Sequence, residues 1–171
     1  MANKLRYAGM IKNDFSAAPG ACVTFFTQGC PHHCKGCHNP ETWSFDGGEE
    51  FTENTLQEVM CALTANNIHR DLCIMGGEPL CAENIKLVNT LIKTTLNFFP
   101  DTKIYIWTGY TYEVLSEIKE FDGTLEKVLN NTYCLIDGPY IEEKRDITLK
   151  MRGSTNQRIL YLKGGEIIEK E

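Results

Sequence analysis

Three cysteines in one short stretch carry the clearest chemistry in this chain: Cys30-Pro31-His32-His33-Cys34-Lys35-Gly36-Cys37. Three thiolates within eight residues can close around one metal centre, and soft sulfur ligands select iron–sulfur clusters, zinc or copper(I). Ordinary four-iron clusters take four cysteines, one for each iron. The loop supplies three, and no fourth cysteine is suitably close. A four-iron cluster held by Cys30, Cys34 and Cys37 would therefore keep one iron open to another molecule. The competing reading is a structural zinc site completed by His32, His33 or His38, since zinc also takes three Cys and one His. A loop of free, crowded thiols would be an oxidation liability.

Other segments could share a site with that loop. Gly76-Gly77-Glu78-Pro79 follows an apolar run and precedes a helix-like pattern, although glycine pairs after strands are also common turns. Trp107-Thr108-Gly109-Tyr110 ends a further apolar run and reads equally as a core aromatic at a strand terminus. Asp137-Gly138-Pro139-Tyr140 is a strong turn former. The polar groups of Arg152-Gly153-Ser154-Thr155-Asn156-Gln157-Arg158 either meet a ligand or tie the tail down. Cys22, Cys61, Cys73, Cys81 and Cys134 form no second ligand pattern; Cys61, Cys73 and Cys134 fall inside expected elements and read as buried, inert thiols. Cys81 falls close to the glycine turn and takes no role. His69 reads as a surface residue, and the runs Glu49–Glu53 and Glu117–Glu120 as solvated faces. No triad or general base is evident.

The elements that must position these residues alternate. Ala21–Thr27, β-branched and aromatic, reads as a buried strand that runs straight into the cysteine loop, Gln28–Pro40. A helix is expected over Glu53–Asn66, with Leu56, Val59, Met60 and Leu63 on one face. Leu72–Met75 is expected as a strand and Glu83–Phe99 as a helix closed by Pro100. Lys103–Trp107 reads as a strand, Tyr112–Phe121 as a helix and Tyr133–Ile136 as a strand. Gln157–Leu162 and Glu166–Ile168, around Gly164-Gly165, read as a hairpin. Strand–helix alternation argues for right-handed βαβ units, hence an α/β fold on a mostly parallel sheet. About four units cannot close an eight-stranded barrel of about 250 residues, so an open partial (β/α) barrel is expected. Ligands gather beyond the carboxyl ends of parallel strands, which sets all these motifs on one rim.

The whole-chain properties bound the function. At 171 residues, with 42% hydrophobic and 23% charged residues, residues 1–171 are expected to form a single domain with a real core. A net charge of −6 argues against a nucleic-acid partner, which would need clustered Lys and Arg. Met1–Tyr7 is polar and basic without an apolar stretch behind it, so no secretory signal and no membrane association are expected. A cytoplasmic location follows as the expectation, and with it a metal-binding or catalytic use of the eight cysteines in preference to disulfides.

The spacing CxxxCxxC of Cys30, Cys34 and Cys37 resembles the signature of the radical S-adenosylmethionine superfamily. The longer stretch Gln28–Trp43, with the GGEP, WTGY and RGSTNQ segments, resembles the activating enzymes of glycyl-radical proteins, above all the activases of anaerobic (class III) ribonucleotide reductase. That superfamily often has an aromatic residue just before the third cysteine. This chain has Gly36 there, a glycine that the activase branch tolerates. Many relatives carry an Asn-Gly-Pro-Gly run ahead of the first strand, where this chain has Ala17–Cys22 and keeps only Pro19-Gly20.

The resemblance implies an oxidoreductase like the one that activates formate C-acetyltransferase. A 4Fe–4S cluster would sit on Cys30, Cys34 and Cys37, and S-adenosylmethionine would bind the open fourth iron. Gly36, Cys37 and His38 would line the adenosyl side; Gly76, Gly77 and Glu78 would line the methionine side, Glu78 meeting the ammonium. One electron, from a flavodoxin-type donor, would cleave the cofactor to methionine and a 5′-deoxyadenosyl radical. That radical would take hydrogen from a glycine of anaerobic ribonucleotide reductase. A formate-lyase-like target is the nearest alternative, and a non-catalytic zinc-binding module the alternative of another class.

Overall fold

Continuous apolar runs in the central strands and a helical apolar stripe between them build a single sheet with all its helices on one side. The computed structural model describes residues 4–171. The expectation of no secretory signal over Met1–Tyr7 therefore lies partly outside the described residues. The strands are β1 (Arg6–Asp14), β2 (Cys22–Thr27), β3 (Glu49–Glu50), β4 (Asp71–Gly76), β5 (Ile104–Trp107), β6 (Cys134–Asp137), β7 (Arg158–Lys163) and β8 (Glu166–Lys170). The helices are α1 (Glu53–Leu63), α2 (Ile85–Phe98), α3 (Tyr112–Lys119) and α4 (Gly123–Asn130).

The sheet order is β3-β1-β2-β4-β5-β6-β7-β8. The central strands β2, β4, β5 and β6 run parallel, in register from Cys22 beside Asp71 to Thr27 beside Gly76. Both flanks are antiparallel: β1 with β2 and β3 on one side, β7 with β6 and β8 on the other. Four of the seven strand pairings are thus antiparallel, so the expectation of a mostly parallel sheet is corrected. The physical reason lies in the connections. A parallel neighbour needs a crossover, which α1, α2 and the α3–α4 pair provide; β1–β2 and β7–β8 are joined by short reversing links, and the long segment between β6 and β7 carries no α-helix to cross the sheet. The expected C-terminal hairpin is present, turning at Gly164-Gly165 between β7 and β8.

Alternate residues of the central strands face opposite ways. Val23, Phe25, Leu72, Ile74, Ile104, Ile106 and Leu135 meet the buried stripes of α1, α2, α3 and α4. On α2 these are Leu87, Val88, Leu91 and Ile92, at the spacing one helical face requires. Cys22, Cys73, Tyr105, Cys134 and Ile136 face the other side, where Met75, Trp107 and Met151 pack without any helix. With α/β crossovers all on one face, the rim at the carboxyl ends of β2, β4, β5 and β6 is left to loops.

Three elements had no sequence expectation, and one of them, β3, is only the two exposed glutamates Glu49–Glu50. Strand β1, RYAGMIKND, is mostly half-exposed and irregular in register, so its alternation is faint. Helix α4 opens at Gly123, and its start is fixed by Asp122, whose side chain accepts from the backbone N–H of Thr124 and Leu125. Arg70, 3% exposed, closes the carboxyl end of α1 by donating to the carbonyls of Ala62, Ala65 and Ile68. Cys73 and Cys134 are buried as expected, but Cys61 lies on the exposed side of α1, which corrects its reading as a buried thiol.

Candidate metal centre

The cysteine loop leaves the end of β2 and is fixed at both its ends by backbone bonds. Gly29 N–H donates to the Thr42 carbonyl at 2.8 Å and Cys30 N–H to that of Trp43 at 3.0 Å. The Gln28 amide closes the base of the loop, donating to the carbonyls of Glu41 and Ser44. Within this frame Cys30, Cys34 and Cys37 are all partly exposed and free.

Each of the three sulfurs lies under backbone N–H donors. Those of His32 and His33 reach Cys30, that of Tyr140 reaches Cys34, and that of Asn39 lies 3.4 Å from Cys37 Sγ. Burial pushes the Cys30 and Cys34 thiols above their ordinary values, and the N–H donors oppose it. Such donors suit an iron–sulfur site, since hydrogen bonds to the sulfurs tune a cluster. Among the described residues, no three His, Cys, Asp or Glu side chains converge as a mononuclear metal would need. A four-iron cluster asks for less convergence, because each thiolate takes its own iron. The donor set therefore fits a cluster.

The GGEP turn is docked on the same loop. Gly77 N–H donates to the Thr27 carbonyl at 2.9 Å and Glu78 N–H to the Gly29 carbonyl at 2.8 Å. The Asn84 amide bridges the carbonyls of Gly29 and Glu78 at 3.1 and 2.9 Å. Gly77 is glycine because the two backbones touch: a Cβ there would lie 2.3 Å from the Gly29 oxygen.

Glu78 is 1% exposed and its carboxylate is fully engaged. Oε1 accepts from Thr108 Oγ1 at 2.8 Å and Leu80 N–H at 2.9 Å. Oε2 accepts from Gly109 N–H at 2.8 Å and His32 Nε2 at 2.7 Å. Four donors fill the usual acceptor positions of a carboxylate. In this structure, then, both Glu78 oxygens are bonded to protein donors. His32, one of the three histidines open to the zinc reading, is likewise committed. His33 rests against Trp43, with ring centroids 4.9 Å apart, and His38 is exposed.

The remaining rim motifs also find their places. Thr108 and Gly109 hold Glu78. Tyr110 packs edge-on against His32, and burial pushes its hydroxyl up to about 12. Trp107 donates from Nε1 to the Met151 carbonyl at 2.7 Å. The Tyr140–Lys144 segment lies over the cysteine loop, where Lys35 pairs with Glu142 at 3.1 Å and Glu143 at 3.4 Å. Of the two roles open to the RGSTNQR stretch, tying the tail is visible. Gln157 accepts from the N–H groups of Gly153 and Ser154 and donates to the Gly138 carbonyl, while Asn156 donates to that of Pro139. Cys81 is buried, its thiol pushed up to about 12, and donates to the Glu78 carbonyl at 3.1 Å. The reach of Glu78 to His32, Thr108 and Gly109, and that of Glu142 to the cysteine loop, had no sequence signal. Those partners come from distant segments, brought together only by the sheet.

Comparison with known proteins defines the class first. Residues 17–160 match the family model described as a 4Fe-4S single cluster domain. Named relatives then narrow it. The anaerobic ribonucleoside-triphosphate reductase-activating protein of Vibrio cholerae is 35% identical, over 85% of this chain and 91% of that one. Its namesake in Enterobacteria phage T4 is 36% identical, over 91% of this chain and 93% of the relative, and that of Escherichia coli K12 is 30% identical over 88% and 94%. This chain belongs to the family of anaerobic ribonucleoside-triphosphate reductase-activating proteins, and with it to the 4Fe-4S single cluster proteins.

Proposed function

We propose that this chain is a radical S-adenosylmethionine activase, read as one domain. It cleaves S-adenosylmethionine reductively, and the resulting 5′-deoxyadenosyl radical takes hydrogen from a glycine of an anaerobic ribonucleoside-triphosphate reductase. The observation that carries the reading is the set of three partly exposed thiols, Cys30, Cys34 and Cys37, each under a backbone N–H, at the rim where the GGEP turn is docked. Relatives named for that reductase, matched along most of their length, support the choice of partner.

A bound 4Fe–4S cluster supplies the low-potential electron that no protein side chain can deliver. The chain's own residues do the rest. Cys30, Cys34 and Cys37 would hold the cluster by their thiolates. The backbone of Gly76, Gly77 and Glu78 borders the methionine side, and Gly36, Cys37 and His38 border the adenosyl side. A flavodoxin-type protein is the proposed electron donor. The sheet would then curve as the open partial barrel of that enzyme class, its helix-free face turned to the substrates. No described helix is long and apolar enough to cross a membrane, and a cytoplasmic setting suits reduced thiols.

The test is anaerobic purification followed by iron, sulfide and zinc analysis. About four irons per chain is the expected result, and a colourless zinc protein would end the proposal. With dithionite and S-adenosylmethionine the loaded protein should form 5′-deoxyadenosine, and Cys34→Ala should form none. Mixing with the reductase should then give a glycyl radical detectable by electron paramagnetic resonance.

A further inference from the structure

Residue 32 lies between two of the three cysteines in sequence, yet its ring is bonded to another strand's loop. The His32 side chain is 19% exposed and that of Glu78 1% exposed, and they meet at 2.7 Å. The carboxylate accepts, so Nε2 carries the proton and donates. The imidazole is fixed a second way by the edge-on ring of Tyr110, with centroids 4.6 Å apart. The backbone N–H of the same residue is directed at the Cys30 sulfur. Orientation of the ring and orientation of a donor to a cluster ligand are therefore coupled through one residue.

We propose that His32 is a positioning residue. Its bond to Glu78 holds the Cys30–Cys34 arm against the ends of β4 and β5, and the Glu78 carboxylate serves as the fastener and not as a substrate ligand. The proposal rests on the reading of this loop as a cluster site. The Glu78 carboxylate has no free acceptor position for a substrate ammonium, since Thr108, Leu80, Gly109 and His32 fill it. Main-chain bonds of Gly77 and Glu78, with the Asn84 side-chain amide, clamp only the start of the loop, at Thr27 and Gly29. Beyond Gly29 the Glu78–His32 bond is the side-chain tie from this turn into the cysteine arm.

The experiment uses the full chain, prepared without oxygen and without iron, and follows deuterium uptake of amides 30–37. In His32→Ala uptake there should rise about tenfold, the effect of losing one bond to a charged acceptor, while β4 and α2 exchange as in the parent protein. Iron retained per chain after reconstitution should fall in the same variant. His32→Gln, whose amide can still donate, should recover part of both. If His32→Ala shows parental uptake and parental iron content, the proposal is overturned. Glu78→Gln puts an amide N–H where a carboxylate oxygen accepted, facing the donors of that oxygen, and should mimic His32→Ala. Parental uptake and iron in Glu78→Gln, with a raised KM for S-adenosylmethionine, would instead make Glu78 a substrate ligand and also overturn the proposal. Uptake by iron-free protein does not depend on radical chemistry. A parent chain that bound no iron would sink the functional reading while this comparison still returned its own answer.

Discussion

The carboxylate of Glu142 occupies the space that a side chain on Gly36 would need. A Cβ there would lie 2.7 Å from Oε1 and 2.9 Å from Cδ, and Gly36 adopts φ +72°, a conformation that suits glycine. This accounts locally for glycine ahead of the third cysteine in this chain. Gly36→Ala should cost about 1–2 kcal/mol in denaturant unfolding, from backbone strain and the displaced carboxylate. Adding Glu142→Ala should return only the steric part. Equal stability of Gly36→Ala and the parent would refute the crowding.

Asp137, fully buried, depends on Arg158, which bonds both of its oxygens and also pairs with Glu113. Arg158→Met should destabilise by about 3–5 kcal/mol, because a buried carboxylate is left with the Tyr112 N–H alone among these partners. A chemical-denaturation midpoint shifted by no more than an ordinary surface substitution would contradict this.

The same cluster sets a pH dependence. Arg158 holds the Glu113 carboxyl down to about 2, from an ordinary value of 4.5. A depressed carboxyl stabilises the fold above its unfolded value, and that contribution is lost as pH falls from about 4.5 through about 2. Glu113 is largely solvated, so the loss is small. Urea titrations between those limits should show a shallower decline for Glu113→Gln than for the parent; identical slopes would refute the assignment.

Thiol reactivity should divide along the burial of the cysteines. Cys61 is exposed, whereas Cys73 and Cys134 are fully buried, the latter with its thiol pushed up to about 12 by burial. Iodoacetamide added to the native protein should label Cys61 at an ordinary rate and leave Cys73 and Cys134 unlabelled until denaturant is added. Peptide mass spectrometry reads the pattern, and early labelling of Cys134 would contradict the packing of β6.

Gly77→Ala tests the docking of the two loops. With backbone on both sides, the 2.3 Å contact to Gly29 cannot be relieved by a side-chain rotation. The variant should lose about 2 kcal/mol or more and part of its iron. Full retention of both would show that the turn can move away from the cysteine loop.

Much of this was legible in the residues. The continuous apolar runs of β2, β4, β5 and β6 and the long stripe of α2 were readable because their neighbours on both sides are core. The flanks were not. Strand β1 carries Gly9 and mixed polarity, and β3 is two exposed glutamates, so neither shows a period. Without them the sheet reads as parallel. Helix α4 is eight residues long and begins with glycine, which hid it, although Asp122 offered a cap signal. At the site, the thiols were readable because their ligand spacing is local. The destination of the Glu78 side chain was not, since its partners lie 46 and 30 residues away and meet only through strand register.

One carboxylate thus gathers the ends of three strands, with a consequence for biogenesis. Ribosomes deliver Cys30 and Cys34 early and their anchorage late, after Thr108 and Gly109 have emerged and β5 has joined β4. Iron offered to a nascent chain would meet an unfinished cradle. Metallation should therefore follow the closure of β5 onto β4.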